Sequence, residues 1–189
     1  MDTPSRYATT TMEPHDTRSP TSRPPVHLHA GRTAAVFLWT RDRWTHRITT
    51  PGAETLAGWT SLDGPFPPAN DPRWPASPVL VELSRVSVPQ GDAAGGQAVV
   101  GVGLAGRSHF SASIAPDPHV ANAIRFEIAC RLHESPGWLG STYRTTDGLV
   151  QLTASDESTS LPRTVVWAYS IGPQGIAAVS GATVAIGPA

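Results

Sequence analysis

The sequence predicts an all-β fold, an antiparallel β-sandwich with a barrel-like arrangement as the alternative, behind a disordered N-terminal tail. Three observations lead there. First, the stretch Gln97–Leu132 alternates apolar and polar residues with period two. Phe110, Ala112 and Ile114 interleave with His109, Ser111 and Ser113, and Phe126, Ile128, Cys130 and Leu132 interleave with Arg125, Glu127, Ala129 and Arg131. That period places one face of a strand in a core and the other in water. Second, turn-forming clusters recur along the whole chain, and no amphipathic segment has the length of a stable helix. Third, charged residues make up only 15% of the chain while Gly and Pro number 17 and 19, a composition suited to many strands and turns.

Length and charge set the limits. The 189 residues accommodate one domain, read here as 34–189, preceded by a tail at 1–33. The tail is rich in Thr, Ser, Pro and Arg and poor in large aliphatics, so it lacks the apolar surface that offsets the entropy of ordering. The net charge of −1 carries no electrostatic footprint for nucleic acid or an anionic membrane. No apolar run is long enough to span a bilayer as a helix, and no signal-peptide pattern opens the chain, so a cytoplasmic location is expected. The one cysteine, Cys130, excludes an intramolecular disulfide and lies on the apolar face of its strand, where a buried thiol is expected.

Taken in order, the first candidate feature is His27-Leu28-His29, whose spacing is that of half a metal site on a strand. It lacks a neighbouring third ligand, and a solvated segment ahead of the first strand is the reading adopted. Ala34–Thr40 and Arg43–Thr49 flank an Arg41-Asp42 turn and form a hairpin. In it His46 shares the apolar face with Trp44 and Ile48, as a hydrogen-bonded core histidine does. Pro51–Ser77 holds six prolines, Trp59 and Trp74, and reads as a long loop with one short strand near Glu54–Thr60. Pro78–Pro89 is apolar at both parities early on and reads as a central strand covered on both sides. In the next strand, Val99, Val100, Val102 and Leu104 are interrupted by Gly101 and Gly103, which mark a bulge or a close backbone approach. A β-meander follows through Leu132. Glu134–Tyr143 is a turn-rich connector, Leu149–Ser155 and Arg163–Gly172 are strands, and one edge strand is expected near Ala177–Ser180.

No phosphate loop, serine elbow, zinc-protease helix or calcium loop is present, and neither a cofactor nor a metal is implied. One face carries candidate binding residues. If the strands 108–115 and 125–133 pair, Arg107, His109, Arg125, Glu127, Arg131 and His133 crowd together. Arginine forks there could clasp a carboxylate or phosphate, with Glu127 and His109 as acid–base partners. The competing reading is a solvated outer face whose charges pair weakly across strands. Tyr143 and Arg144, after Gly140, form a second candidate, and Trp59, Trp74 and Trp138 are candidate loop anchors. The function expected is a non-catalytic module that binds a protein or a small polar ligand. The alternatives are an assembly subunit with an N-terminal arm and an enzyme built around His109 and Glu127.

Overall fold

The computed structural model describes residues 23–51, 57–62, 71–90, 93–155 and 158–187. Among these the strands are β1 (Val26–Ala30), β2 (Thr33–Thr40), β3 (Arg43–Thr50), β4 (Ala57–Ser61), β5 (Glu82–Gln90), β6 (Ala93–Ala105), β7 (Ser108–Pro116), β8 (Ile124–Leu132), β9 (Gly140–Arg144), β10 (Leu149–Ala154), β11 (Arg163–Gly172), β12 (Gly175–Ser180) and β13 (Ala182–Gly187). They form two antiparallel sheets packed face to face, a sandwich and not a closed barrel. The seven-stranded sheet runs β1-β2-β3-β4-β9-β10-β13 and the six-stranded sheet runs β12-β11-β8-β7-β6-β5. Among the described residues no helix is long and apolar enough to cross a membrane.

The alternating rows of the meander build the core. Phe110, Ala112 and Ile114 from β7 meet Phe126, Ile128, Cys130 and Leu132 from β8, with Val165, Trp167, Tyr169 and Ile171 from β11. The opposing sheet contributes Leu28, Phe37, Trp44, Ile48, Tyr143 and Leu152. The meander and the 33–50 hairpin lie where the alternation places them, because a one-residue slip would turn every buried side chain outward.

Four elements differ from the sequence reading. The segment 26–33, assigned to the tail, holds β1, which pairs with β2 through a tight turn at Gly31 (φ +59°). Leu28 and Ala30 face the core, and Asn122 fastens the turn: its side-chain oxygen accepts from Arg32 N at 3.1 Å, and its carbonyl accepts from Thr33 Oγ1 at 2.6 Å. Burial of Leu28 and Ala30, with Val26 packed against the core, offsets an otherwise polar composition here. Residues 1–22 lie outside the described residues. The segment 78–89 is not one central strand: β5 begins at Glu82 and is the edge of its sheet, while Val79 and Leu80 form a buried strap. The strap spans the two layers, with Leu80 O accepting from Trp44 N at 2.7 Å and Val81 N donating to Val102 O at 2.8 Å. This explains why its residues are apolar at both parities. The connector 134–143 contains the start of β9, a central strand between β4 and β10 despite its glycine and hydroxyls. Finally, β13 adds an edge strand beyond the expected β12. The short strand near 54–60 appears as β4, its first residues lying outside the described range.

Candidate functional site

The six-stranded sheet turns one face to the core and the other away from it. On the outward face β7 presents His109, Ser111 and Ser113, and β8 presents Arg125, Glu127, Ala129 and Arg131. The register sets His109 opposite Arg131, Ser113 opposite Glu127 and Ala115 opposite Arg125. The strands therefore pair as the clustered-face reading requires, but the charges divide into two groups. At one end Arg125 is joined to Glu127, its Nε and Nη2 both 2.9 Å from Oε1. At the other, Arg131 donates to Thr164 Oγ1 at 3.3 Å, with the His109 and His133 rings 6.0 Å apart. His109 lies four residues from Ser113 along β7, so it stands about 13 Å from the Glu127 row. An acid–base pair needs hydrogen-bond reach, and these two do not have it. Arg107 sits exposed in the turn before β7.

Between the two charged ends the face is apolar, a feature the alternation concealed. Gly101 and Gly103 are inward residues of β6. A Cβ on Gly103 would lie 2.2 Å from the Val79 carbonyl oxygen, and one on Gly101 would lie 2.6 Å from Leu83 Cδ2. The strap occupies the space that side chains at 101 and 103 would fill, so glycine is required there; of the branched residues of β6, Val99 packs in the core and Val100, Val102 and Leu104 point outward. Val102 and Leu104 are 50% and 51% exposed, joined on the same face by Val86 and Val88 on β5 (37% and 40%) and Val166 on β11 (55%).

This face is hollowed. A central depression of about 340 Å³ is lined by Val100, Val102, Ser111, Ser113, Glu127, Ala129 and Val166. It shares Ser113 and Glu127 with a depression of about 430 Å³ walled by Pro116, Pro118, His119 and Arg125. It shares Val102, Ser111 and Ala129 with one of about 610 Å³ that reaches Leu104, His109, Arg131 and Thr164. The three make one furrow. Its floor is Ser111, Ser113 and Ala129 at the centre, with Arg125 and Glu127 toward one end and His109 and Arg131 toward the other, and its sides are Val100, Val102 and Leu104 on β6 and Val166 on β11. The proline wall is fixed by Asp117, whose Oδ1 accepts from the His119 and Val120 amides at 2.7 and 3.0 Å and whose Oδ2 accepts from Ser170. Burial disfavours the Asp117 charge, but these hydrogen bonds and nearby Arg125 outweigh it and hold the carboxyl below its ordinary value.

The remaining candidates do not join the furrow. Tyr143 is wholly buried: its hydroxyl is 2.9 Å from His46 Nε2 and 2.7 Å from Tyr169 Oη, so it ties the two sheets together instead of meeting a ligand. Its β9 position, flanked by β4 and β10, turns it inward. Arg144 ends β9 on the exposed side, on the other sheet. Trp74 is buried, and Trp59 and Trp138 pack partly buried against the core, Trp59 edge-on to Tyr143 at 6.4 Å. All three act as core or cover, because each has a large apolar surface and a layer to lie on. His27 and His29 do share one exposed face of β1. Among the described residues no three His, Cys, Asp or Glu side chains come together as a metal group.

Comparison with known proteins leaves this geometry to stand by itself: no family model matches the chain, and no curated protein and no solved structure matches it.

Proposed function

We propose that this protein is a non-catalytic interaction module that docks a protein partner in the furrow of its six-stranded sheet. The observation that carries this reading is the outward row of half-buried Val100 and exposed Val102 and Leu104, beside exposed Val166, on a concave face that the core does not use. A concave patch of this kind, apolar in the middle and polar at the rim, has the anatomy of a recognition surface. The charges favour protein over nucleic acid, since the face carries Glu82 and Glu127 as well as Arg125 and Arg131 and is not a basic patch. A small polar ligand is the weaker reading, because the Arg125 fork is already engaged by Glu127 and most of the furrow is aliphatic.

The test is site-specific photo-crosslinking in the cells that make the protein. A benzophenone side chain replacing Ser111, exposed on the furrow floor, is expected to give a discrete protein adduct. The same group replacing Thr153, exposed on the other sheet, is expected to give none. Adducts from Thr153 alone, or equal smears from both positions, contradict the reading.

A further inference from the structure

The furrow's dimensions and charges say more about its occupant, provided that it is the docking surface. The walls on β6 and β11 are separated by three strand spacings, about 14 Å, and an α-helix with its side chains is about 10–12 Å across. From the row of Leu104, His109 and Arg131 to the row of Ala98, Ala115 and Arg125 is six residues of strand. That is about 20 Å, the length of roughly thirteen helical residues. The floor between the walls is Ser111, Ser113 and Ala129, with Glu127 opposite Ser113 and drawn toward Arg125; the three small residues leave room for the larger side chains of a cylinder.

An extended segment fits less well. The floor strands β7 and β8 are each hydrogen-bonded on both sides, so a strand laid across them finds no open ladder to join. A second copy offers no helix among its described residues. The ends of the furrow also differ. Arg125 is neutralised by Glu127 and closed off by the proline wall, whereas no carboxylate pairs with Arg131 among the described residues. The nearest acidic side chain lining that depression, Glu82, stands three strands away. The Arg131 end, with His109 beside it, is complementary to the negative end of a helix dipole and to carboxylates in a last turn.

We infer that the furrow receives an amphipathic helix of a partner protein, its apolar stripe on Val102, Ser111, Ala129 and Val166 and its acidic C-terminal turn over Arg131. The inference rests on the docking reading above and is separable from it. The full-length chain is used to select binders from a random peptide library of about sixteen residues, the furrow length plus a turn. The selected peptides are expected to space apolar residues at i, i+3, i+4 and i+7, to gather Asp or Glu in their last turn, and to become helical on binding. Val102→Asp is expected to weaken them about tenfold or more, and Arg131→Glu about tenfold with selection on that variant moving to Lys or Arg in the last turn. Ser111→Trp, which fills the furrow without altering an aliphatic wall, is expected to act like Val102→Asp and covers the case in which the aspartate variant misfolds. Peptides with period-two patterning, or none, that still depend on Val102 overturn the helix and leave the docking surface. Self-association of the chain lost in the same variants assigns the furrow to a second copy and overturns the helix as well. Absence of enrichment, or binders indifferent to both variants, overturns both readings.

Discussion

His46 stands between the layers of the sandwich, stacked on Phe126 at 5.2 Å and hydrogen-bonded to Tyr143, which in turn meets Tyr169. Burial pushes its pKa down to about 4 from the ordinary 6.5, so the ring is neutral in the folded protein at pH 7. Because the folded value lies below the unfolded one, the unfolded chain takes up a proton first as the pH falls. The stability His46 contributes is complete above pH 6.5, is lost between about 6.5 and 4, and is level below, a change of about 3 kcal/mol. Denaturant melts across that range are expected to show this acid limb and to show it flattened in His46→Leu. An unchanged limb in the variant assigns the acid sensitivity to other groups. Tyr143→Phe removes both hydrogen bonds from its buried neighbours and is expected to cost about 1–3 kcal/mol in the same melts. Cys130 is wholly buried and its thiol is pushed up to about 12 by desolvation. It is expected to resist a thiol reagent at pH 8 until the chain unfolds. The burial of His46 and Cys130 was legible in the sequence, since both sit on apolar rows. The tyrosine pair was not, because it joins strands from different sheets and local patterning carries no information about which strands face each other.

At the scale of the element, β6 decides where the surface lies. Its glycines announced a close backbone approach, but the approaching partner, the strap at Val79–Leu80, reads in sequence as an ordinary buried strand. Only the three-dimensional arrangement reveals that Gly101 and Gly103 face inward with Val99 while Val100, Val102 and Leu104 face outward, so the furrow's aliphatic wall could not be told from a second core row. The prediction follows from the contacts. Gly103→Ala forces a methyl group against a backbone carbonyl 2.2 Å away and is expected to lose several kcal/mol or fail to fold. Gly101→Ala meets movable leucine side chains and is expected to cost less. Gly58→Ala, in open space, is expected to change the unfolding midpoint little. Equal melting of the first and last variants contradicts the strap's role. The strands β1, β9 and β13 were obscured for other reasons: polar company, glycine with hydroxyls, and small side chains whose pairing is set by the neighbouring strand.

At the scale of the whole molecule, the described residues present two apolar surfaces that could receive a partner. Besides the furrow, the adjoining edges β12 and β13 carry no charged residue from Gly175 to Gly187, with Val179 and Ile186 exposed at 44% and 77%. Uncharged edges invite strand addition, so they are the direct competitor to the furrow. The furrow is favoured because it is concave, carries charged side chains at both ends and results from a specific displacement of side chains by the strap. The most direct test is carbene footprinting of the protein isolated gently from its own cells, compared with the purified chain alone. Val100–Leu104, Ser111, Ser113, Ala129 and Val166 are expected to be protected, with Val179 and Ile186 labelled equally in both samples. Protection of the β12–β13 edge with the furrow still open to labelling would contradict the docking reading.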